Sequence, residues 1–182
     1  MPTDLPLYSI GHSNRQLDDF LAVLTDAAIE CVVDVRTFPR SRTNPQFNIE
    51  DLPDSLAAAG MRYEYLPDLG GRRRKSRDIP QEVNGFWKVT AFHNYADHAM
   101  SAAFQSSFET LLRLSEGQRC AMMCSEVLWW RCHRRIITDY AIAAGRDVLH
   151  LFDVGHVEPA RLTEAAVVQD DGLLRYPAPA LA

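Results

Sequence analysis

Short apolar runs alternate along the chain with stretches whose apolar residues recur every three or four positions. That is the pattern of βαβ units around a mostly parallel sheet. The first run, Leu7 to Ile10, predicts a strand ending at Gly11-His12-Ser13. Leu17, Phe20, Leu21, Leu24 and Ala28 then fall on one face of a helix. Cys31 to Val35 carries its apolar residues consecutively, as a strand buried on both faces does. Pro39 and Pro45 forbid a regular helix over Arg36 to Gln46, which predicts a basic loop there. Asn48 is placed as the cap of a helix through Ala59, with Gly60 as its left-handed stop, and Met61 to Leu66 as the third strand.

Pro67 to Lys88 is rich in Gly and Arg and lacks periodicity, which marks a long loop of the functional or mobile kind. His93 to Leu114 predicts one helix, with Phe104, Phe108, Leu111 and Leu112 as its stripe and Gly117 as its stop. Ala121-Met122-Met123 is the fourth strand; Ile136, Ile137, Tyr140 and Ala144 line the buried face of a helix that starts near Cys132 and ends before Gly145. Val148 to Phe152 is the fifth strand. Val167 to Gln169 and Leu173 to Tyr176, joined by Asp170-Asp171-Gly172, predict a small hairpin. The expected architecture is one α/β domain over residues 1–176: a mostly parallel, five-stranded open sheet with helices on both faces and a C-terminal hairpin. Residues 177–182 are expected to be a flexible tail.

Composition agrees with that picture. A chain of 182 residues, 47% hydrophobic and 24% charged, suits one globular domain. No apolar run approaches the ~20 residues of a membrane helix. Met1 to Tyr8 lacks the basic start and apolar core of an export signal, so the expected location is the cytoplasm. The four cysteines are accordingly read as reduced thiols. A net charge of −5 argues against a general polyanion binder, yet the basic residues cluster. Of nineteen, three lie in Arg36 to Arg42, five in Arg72 to Arg77, and three are Arg131, Arg134 and Arg135.

In an open parallel sheet, ligands bind beyond the carboxyl ends of the strands, where helix N-termini present free N–H groups. The residues at those ends are Gly11-His12-Ser13, Arg36, Asp68 to Gly71, Cys124-Ser125-Glu126, and Asp153 with His156. The opposite ends carry plain turn residues. The chemically capable side chains therefore collect on one rim.

YSIGHSN, DVRTFPRSRTNPQFN, YLPDLGGRR, MCSE and WRCHRRIITD stand in an order and spacing that resembles the bacterial family known as domain of unknown function 488. The resemblance covers Leu7 to Phe152. It implies a fold and a set of motif positions, and it names no reaction. Those positions here are His12, Asp34, Arg36, Arg40, Arg42, Cys124, Glu126, Cys132, His133 and Arg134. Ser125 departs from the family, which often has Ala after the cysteine.

The expected catalytic residues are Cys124, Glu126, Cys132 and His133. A thiol at a strand end or helix start becomes a nucleophile when neighbouring cations lower its pKa, and Glu126 and His133 supply acid–base groups. His12, Ser13, Arg36, Arg40, Arg42, Arg72, Arg131 and Arg134 are the expected substrate or anion contacts. Competing readings are inert packed thiols, a Cys124–Cys132 redox pair although the spacing is not C-x-x-C, an Arg36–Asp34 structural ion pair, a solvated Arg72 to Arg77 segment, and core packing of Trp87, Trp129 and Trp130. A cysteine-phosphatase loop needs five residues between Cys and Arg, whereas Cys124 and Arg131 are separated by six. No cofactor is expected. Zinc from Cys120 and Cys124 together fails because ~3.3 Å per strand residue holds them ~13 Å apart; Cys124, Cys132 and His133 remain the one metal alternative.

The leading expectation is thus an enzyme acting on a small anionic substrate, a nucleotide or nucleic acid. The rival is a non-catalytic nucleic-acid module built on the Arg-rich loops, and the third reading makes the polar rim purely structural. Oligomeric state is left open.

Overall fold

The computed structural model describes residues 5–181. Met1 to Asp4, on which the expected absence of an export signal partly rests, and Ala182 at the end of the expected tail lie outside them.

Strands β1 (Leu7–Gly11), β2 (Cys31–Asp34), β3 (Arg62–Tyr65), β4 (Cys120–Cys124), β5 (Val148–Asp153) and β6 (His156–Pro159) form one sheet in the order β3-β2-β4-β1-β5-β6. The first five run parallel, as predicted. The sixth, antiparallel to β5, is an addition to the five expected strands. Its residues are all exposed, so it carries no apolar signature to betray it. The expected hairpin forms as β7 (Val167–Val168) against β8 (Leu174–Arg175), with Gly172 at φ 82° in its turn.

Helices α1 (Leu17–Asp26) and α2 (Leu52–Ala58) cover one face through Phe20, Val23, Leu24, Leu52 and Leu56. Helices α3 (Thr90–Ala99), α4 (Ala102–Leu114) and α5 (Arg134–Ala143) cover the other through Tyr95, Phe104, Phe108, Leu111, Ile136 and Tyr140. Each fully buried Leu, Ile or Phe of these faces contributes about 1.5–3 kcal/mol through removal from water. The single helix expected over His93 to Leu114 is two, because Ser101 turns extended and its hydroxyl accepts from Phe104 N–H at 3.2 Å, starting a new helix. Ser115 rather than Gly117 closes α4; Gly117 does not adopt a positive φ. Asn48 does not cap α2 either. Its side-chain oxygen accepts from Ser41 N–H at 2.7 Å inside the preceding loop, and the helix starts at Leu52 with a proline in its first turn. Gly60 (φ 79°) and Gly145 (φ 83°) follow α2 and α5 in the left-handed conformation expected of helix stops.

The chain runs from β1 past the place of β4 to β2 and β3, then returns to insert β4 between β2 and β1. The helix after β1 packs on one face and the helix after β4 on the other. The carboxyl ends of β1 and β4 therefore border the crevice where the winding reverses. Among the described residues no helix is long and apolar enough to cross a membrane.

Candidate functional site

Above that crevice lies a cleft of about 810 Å³ lined by residues from every parallel strand end except β5. The strand ladders continue into it: His12 N–H donates to the Cys124 carbonyl at 2.9 Å, and Ser13 N–H donates to Ser125 at 3.0 Å. Ser13 holds φ 49°, a strained left-handed conformation for a residue with a Cβ, where the chain leaves β1 for α1. Ten expected positions line the cleft: His12, Ser13, Arg36, Arg40, Arg72, Cys124, Glu126, Arg131, Cys132 and His133. Asp153 and His156 do not; they turn into β6.

Two expected anion contacts are placed elsewhere. Arg42 is exposed outside the cleft. Arg134 is 1% exposed and faces inward, so it is not a free clamp. Its Nε donates to Cys124 Sγ at 3.0 Å and Cys132 Sγ at 3.3 Å, its Nη1 to Ser9 Oγ at 2.8 Å, and its Nη2 to the carbonyls of Glu126 and Val127. The helical register of α5 explains this. Arg134 begins the helix on the same face as Ile137 and Ala141, which pack on the sheet, so its side chain must enter the interior.

The guanidinium lies beneath a pair of thiols. Cys124 Sγ and Cys132 Sγ are 3.4 Å apart, both unbonded. Cys124 ends β4 and is 2% exposed, whereas Cys132 is half-buried on the cleft wall ahead of α5. Burial opposes ionisation of Cys132, but the hydrogen bond from Cys124 and the charge of Arg134 outweigh it and hold this thiol well below its ordinary pKa. Burial and the same hydrogen bond push Cys124 up. The two thiols therefore titrate as a pair beside Arg134, with ionisation favoured at Cys132 and opposed at Cys124.

His133 Nε2 lies 2.6 Å from the Val35 carbonyl, which can only accept, so Nε2 carries the proton and Nδ1 is the bare acceptor. Burial lowers its pKa and keeps the ring neutral. Nδ1 faces Gly71, where a Cβ would sit 2.4 Å away. His12 is equally constrained. Its Nδ1–H donates to the Ser13 carbonyl at 2.8 Å, while Nε2 accepts from Arg36 Nη1 at 3.2 Å. Burial pulls its pKa down to about 4. Both nitrogens are occupied, which makes His12 a fixed wall stacked on Phe47 at 4.3 Å rather than a proton carrier.

Arg36 takes the ion-pair alternative: it is 5% exposed and grips Asp34 through Nε at 2.9 Å and Nη2 at 2.7 Å. Tyr63 donates to the same carboxylate. The cations left at the mouth are Arg72, Arg131 and Arg40, the last paired with Glu50. Arg131 makes no side-chain hydrogen bond among the described residues. Glu126 is half-buried, with Oε1 accepting from Leu128 N–H at 3.1 Å.

Trp87 follows its packing alternative in the core, whereas Trp130 is 41% exposed. Trp87 stacks on Phe92, Trp129 stacks on His150 at 4.2 Å, and Trp130 leans on Phe152; none lines the cleft. Phe38, Phe92 and Tyr95 do line it, and of these Phe38 is the exposed one, at 64%, with the Arg72 guanidinium 5.5 Å from its ring centre. Sequence reasoning missed it. The available signal was a lone aromatic outside any periodic stripe, in a loop stiffened by Pro39.

The long segment after β3 is tied down. Tyr95 donates to the Leu69 carbonyl at 2.7 Å, Asn94 to the Arg73 carbonyl at 3.1 Å, and Arg73 to Gly70 and Pro67 at 2.9 and 2.7 Å. No curated protein and no solved structure matches the chain. The family described as "Domain of unknown function DUF488" matches residues 16–141, a span that includes both thiols and Arg134. More than half of the chain is thereby covered, and the protein belongs to the DUF488 family.

Proposed function

We propose that the protein is a thiol-dependent hydrolase or transferase acting on a small anionic substrate of nucleotide size. The observation that carries this reading is the placement of Cys132 between a buried guanidinium and an arginine-rimmed cleft. A thiolate stabilised on its inner side and open on its outer side is a nucleophile already prepared for attack. Arg72 and Arg131 at the mouth suit an anionic group, and exposed Phe38 suits a planar ring.

In this reading the Cys132 sulfur bonds to the electrophilic centre of the substrate and the bond to the leaving group breaks. Glu126 is the acid–base group that passes a proton to the leaving group. As carboxylate it then takes one from the water or second substrate that releases the covalent intermediate. His133, neutral and fixed by its bond to the Val35 carbonyl, lines the cleft beside Cys132; a small shift of Gly71 would let its Nδ1 accept from the incoming group. Four free thiols suit a reducing compartment such as the cytoplasm.

Iodoacetamide labelling across a pH series tests the proposal. Cys132 is expected to react with a midpoint well below the ~8.5 of a free thiol. Cys132→Ser abolishes that phase, and an added nucleotide slows it. Reaction only near ~8.5 removes the nucleophile and the reading with it.

One observation favours the nucleic-acid module instead. Arg74, Lys75 and Arg77 line a second cavity of about 640 Å³ and form no salt bridge among the described residues. That reading predicts oligonucleotide binding that weakens steeply with salt and survives replacement of both cysteines by serine.

A further inference from the structure

A single nucleophile does not require the second sulfur. The other two thiols, Cys31 and Cys120, sit opposite one another at the amino ends of β2 and β4, far from the cleft. Cys124 and Cys132, by contrast, touch each other and share one buried cation.

We propose that Cys132 and Cys124 form a dithiol–disulfide couple driven by hydroperoxides. The Cys132 thiolate attacks the outer oxygen of a hydroperoxide, ROOH. The O–O bond breaks and its electron pair leaves on the alkoxide, which takes a proton from solvent to give ROH. The sulfur is left oxidised as a sulfenic acid. The Cys124 sulfur then attacks Cys132 Sγ: the S–S bond forms, the S–O bond breaks, and hydroxide leaves with the Cys124 proton as water. A low-molecular-weight thiol, oxidised to its own disulfide, returns both cysteines to the reduced form.

The geometry assigns the two roles. Both residues line the cleft, but Cys132 is half-buried whereas Cys124 is 2% exposed, so Cys132 meets the oxidant and Cys124, 3.4 Å away, resolves it. The sulfurs stand 3.4 Å apart, so a movement of about 1.4 Å reaches the ~2.05 Å bond. Cys132 can supply it. Its own N–H is held only by a 3.4 Å contact to Trp129, between a short helical turn and α5.

Arg134 decides how the couple behaves. In the reduced protein its charge faces a thiolate; its other partners are the neutral Ser9 hydroxyl and the carbonyls of Glu126 and Val127. Oxidation removes the anion and leaves a buried guanidinium among neutral acceptors. The reduced form is thereby favoured and the disulfide is oxidising, which makes the couple cycle rather than lock.

This inference rests on the same Cys132 thiolate as the reading above, but on none of its substrate. The test treats the full chain with one equivalent of hydrogen peroxide and maps non-reduced peptides. The expected product is a Cys124–Cys132 disulfide, formed on the order of tenfold or more faster than free cysteine is oxidised at the same pH. It is reversed by a glutathione excess that leaves an exposed reference disulfide intact. Cys124→Ser should instead accumulate a Cys132 sulfenic acid that dimedone traps. Oxidation no faster than free cysteine, or sulfinic acid at Cys132 of the unaltered protein in place of the disulfide, overturns the couple. If low-pH alkylation persists alongside that result, the couple alone is lost and the nucleophile stands; if alkylation is also slow, both are lost.

Discussion

The carbonyl of Glu126 passes where a side chain on Gly11 would begin: a Cβ at Gly11 would lie 1.9 Å from that oxygen. Gly11 does not adopt a positive φ, so what the position demands is room rather than backbone freedom. The segment after β4 can cross the end of β1 only because nothing projects there. That crossing aims the Glu126 carbonyl at Arg134 and at the Cys124 thiol.

Gly11→Ala should accordingly destabilise the protein by about 3 kcal/mol or more, since a backbone carbonyl cannot swing aside as a side chain can. Gly60→Ala is the control. It meets no atom within 4 Å and bears only the strain of φ 79°, costing about 1–2 kcal/mol. Urea unfolding of both variants measures the difference.

Removing the buried cation should separate two effects. Arg134→Met leaves the carbonyls of Glu126 and Val127 and both sulfurs without their donor, which predicts a loss of about 3–5 kcal/mol. It also raises the pH midpoint of Cys132 alkylation. Arg134→Lys keeps the charge but not the fork, so it should recover much of the midpoint and less of the stability. A midpoint unmoved by Arg134→Met would show that the guanidinium does not hold the thiolate.

Acid should weaken the fold through two buried histidines. Burial lowers His12 to about 4 and His150 to about 3, against 6.5 for each when unfolded. The unfolded chain therefore binds protons first. Stability from both groups is full above about pH 6.5, declines as pH falls, and is lost through about 4 for His12 and about 3 for His150. Urea midpoints should fall as pH drops from about 6.5 to 4, and His12→Gln should lessen that slope across the whole window, leaving the share of His150.

Nucleotide binding should depend on where each arginine sits. Arg72→Ala and Arg131→Ala each remove a cation at the mouth and should weaken binding by about 1 kcal/mol, roughly fivefold. Arg42→Ala, outside the cleft, should leave it unchanged. Calorimetric titration at two salt concentrations reads both, and equal losses from all three variants would point to diffuse charge rather than a site.

Much of the fold was legible because burial imposes a period on the chain. Consecutive apolar residues in Cys31 to Val35 and Ala121 to Met123 marked strands covered on both faces, and β2 and β4 lie where those runs stand. Elements without such a stripe were hidden. The exposed β6 has none, and the break before α4 depends on one Ser101 hydroxyl that periodicity cannot weigh. Arg134 was misplaced for a related reason. Composition marks Arg as a surface cation, and only contact with two sulfurs and two carbonyls makes its burial tolerable.

By itself the sequence determined which segments become β1 to β5, that these five run the same way, and hence that their carboxyl ends share a rim, since these follow from local periodicity and short connections. Tertiary structure alone decided that β4 inserts between β2 and β1, that the β4–α5 connection folds back to bring Cys132 against Cys124 over Arg134, and which arginines remain free at the cleft. Strand pairing and the partners of a buried charge are settled by contacts between distant residues, and spacing along the chain carries no record of those.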